Sequence, residues 1–270
     1  MDKTKLVLAV CTILAWALGA ETKQVKSNNP LKLDMASNSV DDCYHTCSER
    51  MFKNVTETLL PKEIRDQKDF GAAWKEALKR WKKKPVPLVG GLKEQHAIAI
   101  RAYTLGGQYP VFKAFNDATR GGAGNYRRGE FAYKSLHFLL AEALRLMKED
   151  YVSKSVNQAK RCLQTYRGTK LKFQGALGAE VRFGSFTSSS LSKRTASNFG
   201  SETCFKIQTC FGAALASYSS MTNEDEVLIP PHEKFNVTKI SRKGPNSWCN
   251  VVYSLQSTGM HSNLNCALVP

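Results

Sequence analysis

Asn223-Glu224-Asp225-Glu226-Val227-Leu228-Ile229-Pro230-Pro231 sets three carboxylates directly against an apolar run, in a chain whose formal net charge is +16. Val227-Leu228-Ile229 predicts a strand entering a core, and Pro230-Pro231 ends it because proline cannot donate to a ladder. On an extended strand side chains alternate between faces, so Glu224 and Glu226 are expected to project together and Asp225 away from them. Two carboxylates on one face repel, and burying them unpartnered is costly, so packing alone gives little reason for the arrangement. The alternative is a solvated acidic turn before an edge strand, a common feature.

The strand just quoted belongs to a strand-rich half. After about Lys160 short strands are predicted over 162–167, 181–186, 203–211, 226–229, 235–240 and 248–255. Before it, from Asp41 to about Asp150, helical patterns dominate. Residues 131–147 carry Leu136, Leu139, Leu140, Ala143, Leu144 and Met147 as a broad apolar stripe, the signature of a helix with one buried face. Two further helices are predicted over 94–105 and 109–120, with Pro85, Pro87, Gly90-Gly91 and the glycines of 121–124 marking the connections. His137 falls beside the stripe and reads as a packed or half-exposed histidine rather than a catalytic one. Helices first and strands afterwards imply an α+β fold, not alternating β-α units. No internal repeat is apparent.

Residues 1–20, MDKTKLVLAVCTILAWALGA, have the basic start, apolar run and small-residue end of a secretory signal peptide, cleaved after Gly19 or Ala20. The apolar run is shorter than the roughly 20 residues a membrane span needs. No second apolar run follows, and the last twenty residues lack the hydrophobic tail of a lipid-anchor signal. The expectation is a secreted, extracellular protein with neither a transmembrane helix nor a lipid anchor. Residues 21–33 read as a linker and 34–268 as a single domain, helical over 34–155 and strand-rich over 156–268.

Hydrophobic content of 42% and four tryptophans exclude a disordered chain. Cys11 leaves with the signal peptide, and in an oxidising compartment Cys43, Cys47, Cys162, Cys204, Cys210, Cys249 and Cys266 are expected mostly in disulfides. Their number is odd, so at least one thiol is free or pairs with another chain. No C-x2-C pair occurs and the histidines are scattered, which argues against a metal site. Asn54-Val55-Thr56 and Asn236-Val237-Thr238 are N-glycosylation acceptors.

Positive charge is clustered in Lys75, Lys79, Arg80, Lys82, Lys83 and Lys84, interleaved with Trp74, Leu78 and Trp81. That spacing predicts a helix with one buried and one basic face. The basic face reads either as a contact for acidic glycans or membrane headgroups, or simply as a solvated helix end. No helix-turn-helix, zinc-finger or aromatic RNA-binding signature accompanies it, so no specific nucleic-acid partner is expected.

Three elements stand out in the strand-rich half: Tyr166-Arg167-Gly168, the run from Phe183 to Ser190, and Glu224-Asp225-Glu226. Singly each is weak. In this order they resemble the arginine-specific mono-ADP-ribosyltransferases, secreted and cell-surface relatives of bacterial ADP-ribosylating toxins, which carry an Arg, then a Ser-x-Ser strand, then a Glu-x-Glu. Asp41-Asp42 followed by Cys47, Ala102-Tyr103-Thr104, the segment 112–116 and the helix 134–144 extend the resemblance over roughly 34–268.

The resemblance implies a helical subdomain packed on a mixed or antiparallel β-sandwich with a cleft for NAD. It implies transfer of ADP-ribose from NAD to arginine-bearing protein acceptors, with NADP as a further donor, no metal, and a monomer. NAD hydrolysis to water, or a non-enzymatic basic binding protein on the same scaffold, are the alternatives. By that resemblance Arg167 takes the pyrophosphate, Ser188 positions the ribose and the catalytic glutamate, Glu226 stabilises the oxocarbenium-like sugar, and Glu224 orients the acceptor guanidinium. Gly168 lets its backbone approach the nicotinamide amide, and Phe199 stacks on the ring or packs in the core. It also implies Cys47–Cys266 and Cys162–Cys210 bridges. It implies no partner for Cys43, Cys204 or Cys249; the expectation for these is a Cys204–Cys249 pair with Cys43 left over.

Overall fold

The computed structural model of the chain describes residues 29–109, 111–155, 161–244 and 247–269. The expected signal peptide and residues 21–28 of the expected linker lie outside them.

From Ser48 to Ser153 the chain is helical: α1 (Ser48–Asn54), a π-helical segment Val55–Leu59, α2 (Leu60–Asp66), α3 (Lys68–Lys83), α4 (Glu94–Tyr103), α5 (Val111–Gly121), α6 (Ala123–Arg127) and α7 (Lys134–Ser153). α3 buries Phe70, Ala73, Trp74, Ala77 and Trp81 along one face, at the spacing of an amphipathic helix. The expected stripe of α7 is there: Leu136, Leu139, Leu140, Ala143 and Leu144 are buried. Each such leucine contributes about 1.5–3 kcal/mol of gross burial energy. α7 starts later than predicted and runs on to Ser153, and its N-terminus is capped from outside. The Glu63 carboxylate of α2 accepts from the backbone N–H groups of Lys134 and Ser135, both at 3.0 Å.

His137 is a fully buried core histidine, hydrogen-bonded to Tyr44 Oη at 2.8 Å and the Val40 carbonyl at 2.9 Å. Burial pushes its pKa down to about 4, so it stays neutral.

The strands are β1 (Leu31–Lys32), β2 (Leu163–Thr169), β3 (Phe173–Gln174), β4 (Glu180–Arg182), β5 (Thr187–Ser190), β6 (Thr203–Thr209), β7 (Ala213–Ala214), β8 (Glu226–Ile229), β9 (Glu233–Arg242) and β10 (Val251–Met260), with a short helix α8 (Lys193–Ser197) after β5. Eight of them form one mixed sheet in the order β4-β9-β10-β6-β2-β5-β8-β7. β6 and β10 run parallel. A single residue pair, Tyr166 with Ser190, joins β2 to β5. The sheet is therefore pinched between a five-stranded and a three-stranded part.

Of the predicted strand over 181–186 only Val181 and Arg182 lie in a strand, β4, and β5 begins beyond it at Thr187. Gly184 sits at φ 70°, a left-handed conformation that glycine adopts without a steric penalty, and the chain turns there from β4 towards β5. The end of the expected linker is also part of the fold: β1 pairs in parallel with β3, and Leu33 joins the core of the five-stranded part with Val181, Phe205, Phe235 and Tyr253. A larger core lies beneath the helices and takes in Phe186, Ala213 and Leu228 from the three-stranded part.

Cys47–Cys266, Cys162–Cys210 and Cys204–Cys249 are bridged. Cys43 is free and half-buried. Asn54 ends α1, with the Thr56 hydroxyl tied to the Phe52 carbonyl of the same helical run. Asn236 lies on β9. Both asparagines are half-buried, so neither acceptor sits in an open loop.

Candidate active site

A cavity of about 650 Å³ opens where the sheet is pinched, within the size range of small-ligand sites. β2 supplies Arg167 and Gly168, β5 supplies Ser188 and Ser190, and β8 supplies Glu226; Glu224 and Phe199 complete the same lining. Every catalytic and cofactor residue expected from sequence therefore reaches one cavity, from segments far apart in the chain.

Glu224 and Glu226 share it for a different reason than strand alternation. Thr222–Glu224 is one turn of 3-10 helix, and Asp225 takes a left-handed conformation at φ 47°, ψ 43°. β8 begins only at Glu226. The turn, not the pleat, brings both acids to the cavity and leaves Asp225 exposed outside. Ser190 fixes this turn: its hydroxyl donates to the Glu224 carbonyl at 2.6 Å and accepts from the Ser192 N–H at 3.0 Å.

Glu226 is 7% exposed. Burial raises its pKa, and the neighbouring Glu224 adds to the rise; the hydroxyls of Ser188 and Ser219 and the charge of Arg167 oppose it. Ser219 donates to Oε2 at 3.1 Å. Nothing in the sequence singled Ser219 out, because a serine seven residues upstream carries no motif. Glu224 is partly exposed, and burial alone raises its pKa. The Arg167 guanidinium donates to the Ser188 carbonyl at 2.6 Å, so one residue of β5 is held by Arg167 through its backbone and serves Glu226 through its hydroxyl.

Tyr103 was also without an assigned role. Its hydroxyl donates to the Phe186 carbonyl at 3.2 Å and accepts from Asn116 Nδ2 at 3.0 Å. Burial pushes its phenol up to about 12, so it remains a neutral donor at the cavity wall.

Two expectations change in kind. Phe199 is 50% exposed, which rules out core packing and leaves its ring open to the cavity. With Leu31, Phe112, Leu171 and Met221 it makes an exposed apolar rim, the usual mark of a ligand site. Gly168 is buried, and a methyl group there would stand 2.5 Å from the Ala196 carbonyl oxygen and closer still to that of Gly200. Glycine is required at 168 so that α8 and its following loop can close on β2, whatever else its backbone meets.

Residues 33–262 match the family profile described as NAD:arginine ADP-ribosyltransferase. The chain belongs to this family. Among relatives, the erythroblast NAD(P)(+)--arginine ADP-ribosyltransferase of Gallus gallus is 33% identical, over 97% of this chain and 85% of its own length. Ecto-ADP-ribosyltransferase 5 of Homo sapiens is 36% identical over 97% and 89%. The crystal structure of the eucaryotic mono-ADP-ribosyltransferase ART2.2 superposes with a TM-score of 0.72 at 35% identity, covering 88% of this chain and 99% of that one. A variant of that ADP-ribosyltransferase has been solved in complex with NAD. Among the described residues no cluster of His, Cys, Asp and Glu could hold a metal, and no helix is long and apolar enough to cross a membrane.

Proposed function

We propose that this ADP-ribosyltransferase moves ADP-ribose from NAD to arginine side chains of proteins and releases nicotinamide. The observation that carries the reading is one buried carboxylate, Glu226, held by Ser188 and Ser219 near Arg167, with a second, Glu224, at the same cavity. In the reaction the bond from ribose C1 to the nicotinamide nitrogen breaks, and nicotinamide leaves with the electron pair. Glu226 faces the positive charge that develops on the sugar. Arg167 offers its fork to the pyrophosphate, Phe199 its ring to nicotinamide, and Gly168 its backbone beside it. Glu224, whose raised pKa suits a base, takes the proton from the acceptor guanidinium as its nitrogen bonds to C1. NADP is accepted as an alternative donor on the same reading.

Labelled NAD incubated with an arginine analogue tests this. Glu226→Gln should remove both transfer and NAD hydrolysis, and turnover that persisted would sink the site. Glu224→Gln should abolish transfer while hydrolysis continues; transfer left intact would remove Glu224 from its role. The three disulfides favour an oxidising, extracellular place of work, and a secreted product found without a lipid anchor in the culture medium of expressing cells would bear that out.

A further inference from the structure

α3 carries Lys75, Lys79, Lys82 and Lys83 at i, i+4, i+7 and i+8, a single face about 12 Å long. All four are exposed, as are Arg80 and Lys84. Arg80 is paired with Glu76, whose carboxylate also feels the charge of Lys79; among the described residues none of the four lysines is within ion-pair distance of a carboxylate. Like charges at these spacings destabilise a helix by a few tenths of a kcal/mol per pair. Placement near the helix C-terminus offsets this for Lys82 and Lys83 but not for Lys75 and Lys79. Solubility needs charge, but it does not need charge aligned at a cost.

The end of the strip is fixed to the cavity rim. Arg101, buried on α4 and stacked on Trp81, donates to the Lys84 carbonyl at 2.9 Å. The Arg101 carbonyl accepts from the Ser220 hydroxyl at 3.1 Å, and the Ser220 N–H donates to Thr104 Oγ1 at 2.8 Å. Ser220 stands between Ser219, which holds Glu226, and Met221, which lines the cavity. Through Arg101, two of these hydrogen bonds connect Lys84, just past the strip, to Ser220, just ahead of the turn that carries Glu224.

We infer that this strip docks an acidic segment of the acceptor protein and so selects arginines in acidic surroundings. The inference rests on the transferase reading above. An acceptor guanidinium is itself a cation approaching a chain of net charge +16. Acidic residues beside it turn that repulsion into attraction, and the strip ends beside Lys84, which Arg101 joins to the segment leading to Glu224. Complementary charge of this kind acts on encounter rate and partner choice.

The test compares two arginine peptides of equal length, one acidic and one basic, with a free alkylguanidine as the third acceptor. The full chain should favour the acidic peptide in kcat/KM by roughly tenfold or more at low salt, and the preference should fade near 0.5 M salt, where screening shortens to a few ångströms. Lys75→Glu, Lys79→Glu, Lys82→Glu and Lys83→Glu combined should reverse the preference while transfer to the free guanidine stays within about twofold, since a small cation has no acidic flank to lose. That third acceptor also shows that the variant is folded. Equal rates on the two peptides, with normal transfer to the guanidine, would overturn the inference alone. So would a variant that loses heparin or anionic-vesicle binding yet keeps the acidic preference, because the strip would then serve a glycan or a membrane. No transfer to the guanidine by the unaltered chain would overturn the transferase reading and this one together.

Discussion

Ser219, which no motif marks, and Gly168, which one does, show how much a single residue carries here. Ser219 donates to Glu226 Oε2 and is one of the groups that hold the carboxylate's pKa down against its burial. Ser219→Ala should let that pKa climb. Since the sugar cation needs an ionised partner, the acid limb of the NAD-cleavage profile should move to higher pH, with the rate on the alkaline plateau little changed. A pH–rate profile decides it: a uniform loss at all pH values would mean that Ser219 only supports the fold. Gly168→Ala places a methyl group against two backbone carbonyls that no rotamer change can move. Overpacking of this kind costs typically about 1–3 kcal/mol. A lowered urea midpoint would report it, and an unshifted one would mean that α8 yields freely.

At the scale of elements, α7 is held at its start by a group from another helix. It has no side-chain cap of its own, and Glu63 accepts its first N–H groups. Burial raises the Glu63 pKa from 4.5 to about 7. Between those values the folded chain keeps a proton that the unfolded chain has lost, so this group's contribution is full below 4.5 and falls as pH rises to about 7. Glu63→Gln gives up one of the two bonds at every pH, but it also removes the slope. Unfolding free energies at pH 5 and pH 8 should differ less in the variant than in the parent, by at most roughly 3 kcal/mol. Parallel pH dependences would show that Glu63 is not the titrating group. The contrast within α7 explains what the sequence makes legible. Its apolar stripe is periodic and local, so it can be read from Leu136 to Leu144. Its cap comes from a carboxylate some seventy residues upstream, and no local pattern encodes that. β8 was readable from Val227-Leu228-Ile229, whereas the strand expected over 181–186 ran past the end of β4 and stopped short of β5, because the residues around Gly184 look strand-like until its left-handed φ is known. Arg167, Ser188, Glu224 and Glu226 were visible only as an ordered set, since the sheet that brings them together is built from long-range pairs.

Across the whole molecule, the two ends of the domain are strapped together by bonds of three kinds. Asp41 pairs with the fully buried Arg182 at 2.7 Å and accepts from the Asn263 N–H at 2.9 Å. Asp42 accepts from the backbone N–H groups of Tyr44 and Cys266, both at 2.9 Å. Cys47 and Cys266 close a loop with a sequence separation of 219. The polar straps hold the folded state in shape, while the disulfide acts mainly by restricting the unfolded one. Replacing Cys47 and Cys266 by alanine together should therefore cost stability, up to about 5 kcal/mol for a loop of this length in the chain-entropy description. It should leave catalysis at 25 °C close to unchanged, because neither strapped segment lines the cavity and Asp41 and Asp42 still hold both ends in place. Asp41→Asn is the opposite case. It leaves the Arg182 charge uncompensated in the core, a loss of about 3–5 kcal/mol, and its one amide oxygen replaces the two that serve Arg182 and Asn263. Urea unfolding combined with NAD cleavage separates the two: the alanine pair should shift the midpoint while the turnover of folded enzyme holds. If turnover falls in step with the midpoint, the bridge shapes the native site as well as limiting the unfolded chain.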